Sequence, residues 1–320
     1  MTHELESIED YRDLFDKFDT FLYDCDGVIW HGDNVIPGVA DFLAYQRKQG
    51  KKLIFVTNNA TKAREGFKAK FDKLGLEAHI EEIFGSAYAS VAYLKYVLDF
   101  PKDKKVYVIG EDGLEKELES EGIAYCGGTD SKDNVFVPLM DFSSIQSDPD
   151  VGAVMAGFDM HINYKKIAKA HRYLQENKGC HFILTNDDTT FPHSDGKLYP
   201  GSGAISAPLR YAVKNKPIVV GKPNQPMLDC ILKTHDIDRE RTLMIGDRLD
   251  TDIAFGKNGG IKTLLVLTGV QKREDYQAKD AEVVPDYVIE SLGDLSALTD
   301  SNKRPLNGTD GSKEAKRRID

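Results

Sequence analysis

The sequence has little of what several protein classes require. No apolar run approaches the roughly 20 residues that span a bilayer, so a membrane role is not expected. The first residues, MTHELESIEDYRDLF, are acidic and carry no apolar stretch of the kind a secretory signal needs. Cysteine is sparse. Cys25, Cys126, Cys180 and Cys230 lie far apart and form no CxxC pair, which argues against a zinc site and a disulfide framework. Reduced thiols in a cytoplasmic protein are the expectation, and the sequon Asn307-Gly308-Thr309 then has no role. Positive charge is also scarce: the net charge is −10, and no basic cluster precedes the last residues. A nucleic-acid partner is therefore not expected. The acidity serves solubility and fits a protein that holds a metal with carboxylates. With 320 residues, 41% of them hydrophobic, the chain can build one large domain or two ordinary ones.

What is present is a series of short β-branched or aromatic runs that end in polar or glycine residues. Thr20–Cys25, Lys52–Thr57, Pro217–Lys222, Thr242–Asp247 and Lys262–Thr268 read as buried strands with helical patterns between most of them. That order predicts an α/β fold, a doubly wound parallel sheet covered on both faces, whose ligands bind at the carboxyl ends of the strands. A second set, Lys105–Gly110, Ala153–Phe158 and Cys180–Thr185, lies in the middle. The stretch from Thr57 to Lys222 is too long for one crossover. We expect a catalytic core of residues 1–89 and 201–300, an inserted α/β unit at 90–200 and a disordered tail at 301–320. Tyr199-Pro200-Gly201-Ser202-Gly203 suits a hinge at the exit. Lys316-Arg317-Arg318 in the tail reads as solvated charge, with docking as the alternative.

The chemistry-bearing residues fall at strand ends. In Asp24-Cys25-Asp26-Gly27-Val28 the two acids share a side of a regular strand, and Gly27 permits a sharp turn after them. Carboxylates this close repel unless a cation or a proton lies between them. Thr57-Asn58-Asn59 offers a hydroxyl and backbone N–H groups suited to phosphate oxygens. In Gly221-Lys222-Pro223 the ammonium can reach the same edge, and Pro223 can begin a helix. Gly246-Asp247-Arg248-Leu249-Asp250-Thr251-Asp252 concentrates acids that must be wet or bind a cation. Mg²⁺ favours one or two carboxylates with water and phosphate oxygens, which fits Asp24, Asp247 and the main-chain carbonyl of Asp26. Taken singly, each element also reads as an ordinary loop or turn.

Their order is more specific. DxDGV, TN, K and GDxxxTD in succession resemble the haloacid-dehalogenase superfamily of phosphatases. DCDGVIW, IFVTNNATK, VVGKPN and MIGDRLDTDIAFGKNGG resemble the subgroup of phosphoglycolate phosphatase, pyridoxal-phosphate phosphatase and the fungal 4-nitrophenylphosphatases. The loop Thr185–Gly203 and the late VPDYVIESLGDL look similar too, so the resemblance runs over roughly residues 15–300.

The resemblance implies a Rossmann-like core with a large α/β cap that closes over the site. It implies Asp24 as the nucleophile that becomes an aspartyl phosphate, and Asp26 as general acid and then base. Dehalogenases of the superfamily lack this second acid. Thr57, Asn58 and Asn59 would hold phosphoryl oxygens, and Lys222 would stabilise the charge. Asp247 would bind Mg²⁺, with Asp252 supporting it from behind. Asn186, Asp188 and Phe191 would select the substrate, a small phosphate monoester. In pyridoxal-phosphate relatives the position aligned with Phe191 carries a histidine, so its absence favours 2-phosphoglycolate. His31 and His193 are further candidate contacts, Cys25 a core residue, and dimerisation through the cap a family habit. The rival reading is a phospho-receiver signalling module; its phosphorylated Asp and Thr both precede its Lys, but it has no cap and no late acid cluster. A phosphomutase and a silent binding protein are weaker rivals.

Overall fold

The computed structural model describes residues 2–134, 142–192, 197–214 and 216–300. His193 and the tail with Lys316-Arg317-Arg318 lie outside the described residues.

Two parallel sheets organise the chain. The larger has seven strands in the order His3–Glu4, Tyr287–Ile289, Lys262–Val266, Thr242–Gly246, Thr20–Tyr23, Lys52–Thr57 and Ile83–Gly85. The smaller has five: Ile218–Val219, His181–Leu184, Val151–Ala156, Lys105–Ile109 and Ala124–Gly127. This is a mixed α/β architecture with a doubly wound core sheet and a second α/β layer.

The central strands are buried on both faces, and their period of two sorts side chains between two cores. Phe21, Tyr23 and Phe55 point to one side, where they meet Phe15, Trp30, Phe42 and Phe71. Leu22, Ile54 and Val56 point to the other. There they share one apolar cluster with Val106, Val108, Met155 and Ile183 of the second sheet. Helices Ser86–Ala92, Asp112–Ser120 and Gln225–Thr234 contribute Ala89, Leu114, Leu118, Met227 and Leu228 to it. The far face of the second sheet is covered by helices Tyr164–Glu176 and Ser202–Ala212, through Ala170, Tyr173, Leu174 and Leu209.

One strand lies elsewhere than the sequence suggested. The sequence pattern places the run Pro217–Lys222 among the core strands. In the structure Ile218–Val219 pairs with His181–Leu184, in the register Ile183↔Ile218 and Leu184↔Val219, at the edge of the second sheet. The preceding helix Ser202–Ala212 packs on that sheet as well. A buried apolar run reports that a strand is buried but not which sheet it joins.

The core sheet changes winding direction at Thr20–Tyr23. The chain leaves this strand for Lys52–Thr57 on one side, while Thr242–Gly246 comes in on the other. A crevice opens at such a reversal, beyond the carboxyl ends of the strands. Asp24 and Asp247 emerge there, from neighbouring strands.

The second layer holds a buried ion pair. Lys166 Nζ lies 2.7 Å from Asp159 Oδ2, and both side chains are 1% exposed. Removing one partner strands the other charge in a dry site. Asp159→Ala is expected to cost about 3–5 kcal/mol, read as a shift in the urea unfolding curve. A cost below about 1 kcal/mol would mark the pair as effectively solvated.

Candidate active site

Four segments converge at the crevice. Lys222 is fully buried, and its Nζ lies 2.6 Å from Asp24 Oδ1, 2.8 Å from Asp252 Oδ1 and 2.8 Å from the Val56 carbonyl. Asp252 Oδ2 accepts from the main-chain N–H groups of Asp247 at 3.2 Å and Arg248 at 3.1 Å. Both oxygens of Asp252 are therefore occupied in shaping the loop and holding the lysine. Asp247 Oδ2 accepts from Val270 N–H at 2.8 Å. Carboxylate oxygens of Asp24, Asp247 and Asp252 all lie within 4.8 Å of one another.

Glycines make this approach possible. Gly27 has φ +83°, and a Cβ there would come within 2.6 Å of Asp247 Oδ2. A Cβ on Gly269 would collide with the same carboxylate. No other residue leaves room for the Asp247 side chain between the two loops.

The charges do not balance. One ammonium faces three carboxylates in a water-poor pocket. Burial pushes the Asp24 carboxyl well above its ordinary range; Lys222 opposes this, while Asp252 and Asp247 add to it. Burial and the Asp252 charge push Asp247 up to about 7. Burial works against the charge on Lys222, but Asp24 and Asp252 outweigh it and its pKa rises. A site that raises carboxyls in this way is short of positive charge. All its free donors are oxygens, the preference of a hard divalent cation.

Of the other sequence candidates, the structure joins Asn58, Asn186 and Asp188 to Lys222 and sets the rest in their own surroundings. Thr57 is buried at its strand end, and its Oγ1 accepts from Asn59 N–H at 3.2 Å. The Asn58 amide grips the Lys222 main chain from both sides. Its Oδ1 accepts from Lys222 N–H at 2.8 Å, and its Nδ2 donates to the Lys222 carbonyl at 2.9 Å. The same Nδ2 reaches Asp188 Oδ2 at 3.1 Å. The Asn59 side chain turns into its own loop, accepting from Thr61 N–H at 2.9 Å. Asn186 is buried, and its Nδ2 donates to Asp188 Oδ2 at 2.9 Å. Burial raises the Asp188 carboxyl, while hydrogen bonds from Asn186 and Asn58 lower it. Phe191 stands edge-on to Phe158, with centroids 5.4 Å apart, in the short hairpin that follows. Asp26 is 53% exposed, with Trp30 Nε1 donating to its Oδ1 at 2.8 Å. Cys25 is buried in the core and His31 is exposed.

Some partners carried no sequence signal. The asparagine clamp on Lys222 and the glycine at 269 depend on contacts between segments distant in the chain, and the indole on Asp26, only four residues on, depends on the turn that folds it back. Only Gly27, directly after the acids, was legible beforehand.

This fold and pocket define the class. Family models described as haloacid dehalogenase-like hydrolase and HAD-hydrolase-like match residues 21–124 and 219–295. The chain belongs to the haloacid dehalogenase-like hydrolases. Within them it is a phosphatase of the 4-nitrophenylphosphatase and phosphoglycolate phosphatase branch. It is 48% identical over 297 residues to the 4-nitrophenylphosphatase of Schizosaccharomyces pombe, covering 92% of this chain and 99% of that one. It is 44% identical over 290 residues to the chloroplastic phosphoglycolate phosphatase 1A of Arabidopsis thaliana, covering 91% and 80%. The solved structure of the p-nitrophenyl phosphatase from Archaeoglobus fulgidus matches with a TM-score of 0.73 and 30% identity, over 88% of this chain and 99% of that one. Likeness over nine-tenths of the chain sets aside the signalling-module reading.

Gly269→Ala tests the close packing around Asp247. The added methyl displaces the carboxylate by a fraction of its own size. Phosphatase activity is expected to fall on the order of 10²-fold, with the circular dichroism spectrum unchanged. Near-wild-type turnover would show that Asp247 does not need this position.

Proposed function

We propose that the enzyme is a Mg²⁺-dependent phosphomonoesterase that works through a phosphoryl group carried on Asp24, with 2-phosphoglycolate as its main substrate and 4-nitrophenyl phosphate as a further one. The observation that carries this reading is the Lys222 ammonium, 2.6 Å from Asp24 Oδ1 at the mouth of the sheet crevice. It holds a carboxylate oxygen in place and offers positive charge to an incoming phosphate.

The residues fit a divalent cation. Asp24, Asp247 and the main-chain carbonyl of Asp26 would hold it, while Asp252 is committed to Lys222 and the 247–248 backbone. When bound, Mg²⁺ supplies charge neutralisation that lets an anionic nucleophile meet a phosphate dianion. In the first step an Asp24 oxygen bonds to phosphorus, the bond from phosphorus to the leaving oxygen breaks, and Asp26 gives its proton to that oxygen. In the second, water attacks phosphorus while Asp26 takes a proton from it, and the bond to Asp24 breaks, releasing phosphate. The Thr57 hydroxyl hydrogen and the Asn58 N–H would hold the transferring oxygens, while the Asn59 N–H holds Thr57 Oγ1 in place.

The insert that closes over this pocket extends to Val219 in our reading, beyond the boundary of 200 set by sequence, because Ile218–Val219 lies in its sheet. Asn186, Asp188 and Phe191 belong to its loop over the crevice and shape the space for the organic part of the substrate. The phenylalanine, in place of a ring-binding histidine, favours a small acid over pyridoxal phosphate. Four unpaired thiols fit a cytoplasmic setting. Among the described residues, no helix is long and apolar enough to cross a membrane. Exposed Phe142, Met160 and Tyr164 on the insert offer surface for pairing with a second copy.

Asp24→Asn is expected to lower hydrolysis of both substrates at least about 10³-fold while the protein stays folded. Retention of a tenth of the activity would remove Asp24 as nucleophile. In a panel of phosphorylated metabolites, 2-phosphoglycolate is expected to give the highest kcat/KM; pyridoxal phosphate in first place would overturn the substrate reading.

The raised Asp247 carboxyl also sets a pH dependence. Without metal, the folded state binds a proton there up to about pH 7, so its contribution to stability is lost as pH rises through that value. A cation takes the place of the proton. The rise in melting temperature caused by Mg²⁺ is expected to be small at acid pH and to grow as pH passes about 7. A pH-independent rise would place the metal away from Asp247.

A further inference from the structure

A general acid must present its proton to one atom of the substrate, yet Asp26 sits on an exposed turn where a carboxylate has several rotamers of similar energy. Three contacts remove that freedom. Trp30 Nε1 donates to Asp26 Oδ1 at 2.8 Å. Lys70 Nζ stands 3.8 Å from the same oxygen. Lys70 also lies over the Trp30 indole, with Nζ 4.1 Å from the ring centroid.

This small assembly is rigidly founded. Trp30 is 0% exposed and packs edge-on against Phe71 at 4.9 Å. Phe71 follows Lys70 on the helix Arg64–Lys73, so ring and ammonium are placed by one element. Gly27 N–H donates to the Trp30 carbonyl at 2.8 Å, which closes the turn between acid and indole. Thr268 Oγ1 donates to the Gly27 carbonyl at 2.7 Å and ties that turn to the far loop. The lysine acts on the indole as well as on the acid. A cation over the ring face draws electron density from it and makes the N–H a stronger donor.

We propose that Trp30 and Lys70 are positioning residues for proton transfer by Asp26. Both address Oδ1. Oδ2 has no hydrogen-bond donor among the described residues, so it is the oxygen left to carry the proton. Held in this way, the carboxyl delivers its proton from Oδ2 to the leaving oxygen as the bond from that oxygen to phosphorus breaks. The resulting carboxylate, steadied by the indole N–H and the ammonium, then accepts a proton from water through the same Oδ2. The inference rests on the acid–base role of Asp26 proposed above, and the leaving group separates the two claims.

An alkoxide cannot leave without a proton, whereas 4-nitrophenolate leaves without one. Loss of proton delivery therefore slows 2-phosphoglycolate and spares 4-nitrophenyl phosphate. Loss of fold, of metal or of the nucleophile slows both alike. The experiment compares kcat/KM on these two substrates for Trp30→Phe, Lys70→Met, Lys70→Arg and Asp26→Asn. Trp30→Phe keeps an aromatic ring but has no N–H; Lys70→Met keeps the apolar stem over the indole and loses the charge.

For Trp30→Phe and Lys70→Met, kcat/KM on 2-phosphoglycolate is expected to fall about 10-fold, with less than about a 2-fold change on 4-nitrophenyl phosphate. Lys70→Arg is expected to restore most of the loss. Asp26→Asn is expected to show the same selectivity at about 10²-fold or more. If Trp30→Phe does not fold, Lys70→Met decides alone, since it sits on a surface helix. Equal losses on both substrates, or no loss on either, overturn the inference while a selective Asp26→Asn leaves the acid in place. An Asp26→Asn variant that slows both substrates equally overturns the acid–base assignment itself, and the positioning role with it.

Discussion

Everything in the pocket answers to one imbalance: a single buried ammonium surrounded by three carboxylates. Lys222 alone cannot neutralise three carboxylates in a water-poor crevice, so Asp24 and Asp247 are pushed toward their neutral forms. A protein designed only for stability would not keep such a cluster. Breaking a buried pair is costly, and replacing it with apolar residues is often neutral or favourable. In the proposed reading a cation offsets this excess of negative charge, and the phosphate is then drawn by that cation and by Lys222.

Holding that imbalance demands precise support, and the fold supplies it through main-chain groups. The 247–248 amides fix Asp252, the Val270 amide fixes Asp247, and the Val56 carbonyl fixes Lys222. Glycines at 27 and 269 allow the loops to approach. The asparagine at 58 extends this support across the two layers, since it clamps the Lys222 backbone and reaches Asp188 in the neighbouring loop. The Asp188 loop is thereby tied to the main chain of Lys222. The near-identical strand ends KLIFVTNN and HFILTNDD come together here, and Asn58 and Asn186 share Asp188 as acceptor.

Much of the chemistry was legible because a parallel sheet puts its functional residues at strand ends, and strand ends can be read. Asp24, Thr57 and Asp247 follow directly from apolar runs in the core sheet. Lys222 was legible by the same logic although its strand belongs to the other sheet, because Val220 N–H bonds to the Leu184 carbonyl and carries the lysine to the same edge. The assignment of that strand failed for a physical reason. A two-residue, half-buried apolar strand has the same pattern whichever sheet it joins.

By itself the sequence determined the residue types at the strand ends, the alternation of strand and helix, and the presence of an insert. These rest on local periodicity and on chemistry within a few residues. Tertiary structure alone decided which oxygen each acid leaves free, which amide grips the lysine, and which indole and ammonium meet Asp26. The amide and the ammonium come from segments tens to hundreds of positions away, and even the indole, four residues from Asp26, is aimed by the packing of Phe71 against it. Their geometry exists only once both faces of the sheet are packed.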